Sequence, residues 1–116
     1  MTEQLGPLRG QISRDAVQIL REYSGRGPTH AKTTIGEDMV TVVIADTLTR
    51  AEQTIANTGD ADDVLSHRHA LQKAMREMLV AMVEGHTERK VIAFMSDNHI
   101  DPDYGVEVFV LEPEAA

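Results

Sequence analysis

RKVIAFMSDNHIDPDYGVEVFVL, residues 89–111, holds two apolar runs around a polar centre. Lys90 to Ser96 and Tyr104 to Leu111 are rich in β-branched and aromatic residues, so both read as strands. In the second run Val106, Val108 and Val110 alternate with Glu107, Phe109 and Leu111, a period of two. The centre carries the punctuation of a hairpin. Asp101-Pro102-Asp103-Tyr104 has the Asp-then-Pro signature of a type I turn. Asp97 and Asn98 can satisfy backbone groups at a strand end.

Upstream of this hairpin lies a helix. Asp60, Asp62 and Asp63 form an acidic opening, which a helix N-terminus favours. Leu71, Met75, Met78, Leu79, Met82 and Val83 then make one apolar stripe, and Gly85 closes it. A shorter helix comes before. Thr49 can cap it, Glu52 completes a capping box, Leu48 serves as the staple, and Thr58-Gly59 ends it.

Further back, Met39 to Ala45 reads as a strand apolar on both faces. Thr29 to Ile35, rich in Thr, reads as an edge strand. Gly36-Glu37-Asp38 between them makes a second hairpin. The chain begins with an amphipathic helix on Ile12, Ala16, Ile19, Leu20 and Tyr23, stopped at Gly25 and followed by Gly27-Pro28.

The order is helix, hairpin, helix, helix, hairpin. It predicts an α+β fold: a four-stranded, mainly antiparallel sheet with helices on one face. Residues 1–116 form a single domain, with flexible ends at about 1–8 and 113–116. The first helix with its hairpin and the long helix with its own look like two copies of one unit. Each has a Gly at the helix end, an arginine before the strand (Arg26, Arg89) and an acidic turn. Strands apolar on both sides with helices on one side leave a face to be covered, which predicts a homodimer.

Composition narrows the function. The 116 residues carry a net charge of -8, only 3% aromatic residues and no Trp, so nucleic acid is a poor partner. The same charge repels anionic lipid. No apolar run approaches the roughly 20 residues of a membrane helix, so no direct insertion is expected. The first residues lack a signal-peptide layout, which points to the cytoplasm. There are no cysteines, hence no disulfide, thiol nucleophile or zinc-thiolate site.

Five stretches in order carry a resemblance. They are Gly25-Arg26-Gly27-Pro28, Leu48-Thr49-Arg50-Ala51-Glu52, Arg89-Lys90-Val91-Ile92-Ala93-Phe94, residues 96–103 and residues 106–113. From about Ile12 to Pro113 the chain resembles the bacterial MpsC-like domain family. The resemblance implies a soluble accessory protein of a cation-translocating, membrane-potential-generating system that supports bicarbonate uptake. The membrane components would be other proteins. It implies no catalytic residues and no cofactor.

Two turns are the candidate sites. Asp97, His99, Asp101 and Asp103 fall at every second position, and alternating carboxylates can offer oxygen ligands to a hard cation. The calcium-loop pattern fails, however: the sixth position from Asp97 is Pro102 and the twelfth is Val108. A structural hairpin is the favoured reading. Arg26 between Gly25 and Gly27 can present a guanidinium and backbone N–H groups to an anion, though no P-loop surrounds it. His67 and His69, two apart on a helix, point to different sides. Ser13, Ser24, Ser66 and Ser96 lie in no nucleophile elbow.

Two functional readings follow. The first is a non-enzymatic cytosolic accessory or regulatory protein, homodimeric, working with membrane transporter subunits and without metal or cofactor. The alternative is a small-ligand- or metal-binding enzyme using Asp97, His99, Asp101 and Asp103 with Arg26. Convergence of the two turns on one pocket distinguishes them.

Overall fold

A computed structural model describes residues 2–28 and 30–114, with side chains from residue 5 onward. It contains α1 (Thr2–Ser24), β1 (His30–Ile35), β2 (Met39–Ala45), α2 (Arg50–Asn57), α3 (Ala61–Thr87), β3 (Val91–His99) and β4 (Tyr104–Leu111). The expected strand start at Thr29 lies outside the described residues, as do Met1 and residues 115–116 of the expected loose ends.

The four strands form one antiparallel sheet in the order β1-β2-β4-β3. Each helix–hairpin unit thus contributes one edge strand and one central strand, and the units join through β2 and β4. Period two separates the faces. Val40, Val42 and Ile44 of β2 lie in register with Phe109, Glu107 and Gly105 of β4. All six are buried beneath the helices. Ile12, Ala16, Ile19 and Leu20 of α1 and Met75, Leu79 and Val83 of α3 complete the core. Gly105 is required by a close approach: a Cβ there would sit 3.1 Å from Ile44 Cγ1 and 3.2 Å from its Cδ1.

Local signals explain several boundaries. Gly25 ends α1 at φ 79°, its N–H donating to the Arg21 carbonyl at 2.9 Å. Both hydrogen bonds of the Thr49–Glu52 capping box are present. Other boundaries differ from the sequence reading. α1 reaches back to Thr2 through Pro7, because the polar stretch before Ile12 carries too little apolar periodicity to signal a helix. α3 continues past Gly85 to Thr87 and stops at Glu88, a left-handed residue at φ 56° whose N–H donates to the Glu84 carbonyl. β3 extends through Asp97, Asn98 and His99, so only residues 100–103 make the turn. The Asp101–Pro102 peptide there is cis, unlike the peptides of the expected type I turn.

The inward line of α3 is also shifted. Its buried residues are Val64, Arg68, Gln72, Met75, Leu79 and Val83. Met78 from the expected stripe is 47% exposed. Two polar residues occupy inward positions, so a stripe drawn from hydrophobic residues alone rotates around the helix toward Met78 and Met82.

Candidate functional site

Where α2 packs on α3 and α3 on the sheet, the interior turns polar. Glu52, Arg68, Gln72 and Glu107 are each at most 2% exposed. Buried charges at such a position need partners, and the capping box of α2 supplies the first. Glu52 Oε1 accepts the Thr49 N–H at 2.8 Å. Its Oε2 accepts from His67 Nδ1 at 2.6 Å. Arg68 Nη1 donates to Glu52 Oε1 at 3.4 Å and to the Thr47 carbonyl at 3.3 Å. One carboxylate thus ties the start of α2 to two successive residues of α3. Burial pushes the Glu52 carboxyl up, but the Thr49 N–H, His67 and Arg68 outweigh it and hold the group below its ordinary range.

Glu107 faces the same region from β4. Gln72 Nε2 donates to Glu107 Oε1 at 3.4 Å and to Asn98 Oδ1 at 3.2 Å, and Asn98 Nδ2 returns a bond to Gln72 Oε1 at 3.0 Å. Glu107 Oε2, Arg68 Nε and Arg68 Nη2 are buried with no hydrogen-bond partner among the described residues. Burial drives the Glu107 carboxyl up to about 8, with Gln72, Arg68 and Ser96 offsetting only part of the effect. Burial thus favours the neutral form of this carboxyl at neutral pH. Gln72 and Ser96 also line a small groove with His69, Lys73, Arg76 and Phe94. Gln72 and Ser96 thus link the groove to that carboxyl, and Lys73 and Arg76 give its lining basic groups.

The residues singled out in the sequence fall into separate surroundings. Asp103 is built into the fold. Its Oδ1 accepts the Thr47 hydroxyl and its Oδ2 the Leu48 N–H, both at 2.8 Å. It anchors the connection from β2 to α2 onto the last hairpin. Asp103→Ala should lower stability by about 1–3 kcal/mol, because it leaves the Leu48 N–H and the buried Thr47 hydroxyl without an acceptor. Chemical denaturation of the variant beside the parent measures this.

Asp97 lies on β3 and is exposed. Its Oδ1 accepts the Asn98 N–H at 2.8 Å and stands 3.6 Å from His69 Nε2. His99 Nδ1 donates to the Pro102 carbonyl at 2.7 Å. Asp101 is exposed in the turn. Arg26 makes a local arrangement, its N–H donating to Ser24 Oγ and its carbonyl accepting from the Ser24 hydroxyl. Its turn leads into β1, one edge of the sheet, while Asp97 and His99 sit on β3, the other edge. β2 and β4 separate them. Among the described residues no three His, Cys, Asp or Glu side chains are grouped to hold a metal ion.

The sequence reading missed the buried cluster, although part of its signal was present. Arg68 and Gln72 follow Val64 at spacings of four, and Glu107 is in phase with Phe109 and Leu111. Polar residues at apolar-phase positions mark an interior polar network.

Among the described residues no helix lies on the opposite face of the sheet. That face presents Met39, Val43, Met95 and Tyr104, all exposed, with Val106, Val108 and Val110 half-buried beside them.

Fold and site together define an α+β domain whose sheet holds a buried ionic cluster under its helices and a bare apolar face behind them. The chain belongs to the MpsC family: the family model described as "Na+-translocating membrane potential-generating system (MpsC)" matches residues 4–113. No curated protein and no solved structure matches it. Among the described residues no helix is long and apolar enough to cross a membrane.

Proposed function

We propose that this protein is a non-enzymatic, cytoplasmic accessory or regulatory subunit of a membrane cation and bicarbonate transport system. It acts as a homodimer and engages the system's membrane subunits. The observation that carries this reading is the bare sheet face. Exposed Met39, Val43, Met95 and Tyr104 form a contiguous apolar surface with the valines of β4, and such surfaces mark protein contacts. The family's association with Na+ translocation supplies the system. The lack of a spanning helix among the described residues supports a division of labour in which other polypeptides carry the ion.

Light scattering at micromolar concentrations should give twice the 12.8 kDa chain mass, and a monomer mass would count against self-association. The transport role is tested by restoring the protein to cells deleted for it. Sodium-dependent membrane potential and bicarbonate uptake should recover with the parent and fail with Val108→Glu, which charges the bare face while leaving the helix-facing core intact. Full recovery with a folded Val108→Glu protein would remove the face from the function.

A further inference from the structure

Strand pairing sets the residues of the bare face in rows. Lys32 pairs with Val43, Val43 with Val106, and Val106 with Asp97. One row therefore runs from a lysine on β1, across two valines, to an aspartate on β3. The row on one side is His30, Ala45, Tyr104 and His99, and the row on the other is Thr34, Thr41, Val108 and Met95. Lys32 and Asp97 are both exposed, at opposite ends of an apolar centre; the Asp97 carboxylate, on the edge strand, also stands 3.6 Å from His69 Nε2 of α3, which leaves its second oxygen for a partner across the face.

Two kinds of two-fold axis can stack this face on a second copy of itself. An axis across the strands lays β1 over β1 and β3 over β3, which brings the lysines to one side and the aspartates to the other. An axis along the strands lays β1 over β3 and β2 over β4, and keeps each row in its own plane. Lys32 of each copy then stands over Asp97 of the other, and Val43 of each over Val106 of the other. Stacked sheets lie about 10 Å apart with strands within about 30° of alignment, and the flexible lysine stem spans the remaining offset at the rim. Opposite charges at both ends of an apolar centre select the second arrangement.

We infer that the bare face binds a second copy of this chain about a two-fold axis running along the strands between β2 and β4, closed at its rim by two Lys32–Asp97 pairs. The inference rests on the self-association proposed above and adds its geometry.

Sedimentation equilibrium of the full chain tests it. Lys32→Glu and Asp97→Lys each place like charges at both ends of the interface, and each should raise the dimer Kd about tenfold or more. The double variant Lys32→Glu/Asp97→Lys should return to within about threefold of the parent. Mixing the two single variants should also restore association, because their heterodimer regains both pairs. Thermal melts confirm that these exposed substitutions leave the fold intact. A monomeric parent would overturn the self-association and this geometry together. A dimeric parent with unaffected single variants would overturn the geometry alone, as would single variants that weaken the dimer without rescue in the double variant.

Discussion

Arg68→Met should destabilise the domain by about 3–5 kcal/mol, the usual consequence of removing one partner from a buried ion pair. Arg68 is 1% exposed, and its guanidinium lies against the equally buried Glu52. Methionine roughly fills the space of the arginine stem, so the loss is electrostatic more than steric. Glu52 would keep the Thr49 N–H and His67 but lose its permanent cation, and the Thr47 carbonyl would lose a donor. Adding Glu52→Gln should recover a large part of the loss, since a neutral amide still accepts from Thr49 and needs no counter-charge. Urea denaturation of both single variants and the double variant gives the coupling between the sites. If the effects simply add, the Arg68–Glu52 pair is not what holds α2 against α3.

The second large effect concerns Glu107 and runs through pH. The carboxyl holds its proton up to about 8 in the folded chain, against an ordinary 4.5. Between those values the native state binds one more proton than the unfolded state. Stability on this account is fully present below the ordinary value and falls as pH rises toward 8, by up to roughly 1.4 kcal/mol per pH unit. Glu52 has the opposite sign: its depressed carboxyl contributes stability above the ordinary range that is lost as pH falls through its folded value. The parent should therefore be most stable in mildly acidic solution. Glu107→Gln keeps the size and an acceptor for Gln72 but has no proton to release. It should match the parent near pH 5 and exceed it by several kcal/mol near pH 8, following the same slope. Denaturation midpoints across this range decide it. A parent whose stability is level from pH 5 to 8 would mean that Glu107 is ionised in the fold, its charge carried by Arg68.

Much of the architecture was legible along the chain because its determinants are short in range. The Thr49–Glu52 box, the Gly25 stop and the alternation of Val106 to Leu111 each act over a few residues, and each appears in the structure. The hydrophobic rule misplaced the inward line of α3, because Arg68 and Gln72 hold inward positions through partners distant in sequence. Asp103 was legible as a turn residue. Its acceptance of the Thr47 hydroxyl and Leu48 N–H was not, since those donors arrive from the other hairpin's exit. Arg26 and the 97–103 segment looked like two halves of a possible site only while the strand order was unknown.

By itself the sequence determined the element types and their order, the acidic and cysteine-free character of the chain, and the excess of apolar strand surface over helices to cover it. These follow from periodicity, capping and composition, all of which are local or additive. Only the tertiary structure decided the order β1-β2-β4-β3, the face of β4 that meets the helices, and the gathering of Glu52, Arg68, Gln72 and Glu107 in one interior. β4 is the clearest case. Three valines on one side and Glu107, Phe109 and Leu111 on the other leave hydrophobicity nearly balanced. The helices settle on the side where Phe109 and Leu111 fill the core and Gly105 admits Ile44, and where α3 brings Gln72 to hydrogen-bond Glu107. That choice depends on volume and on partners far apart in the chain, and neither is written in any one segment.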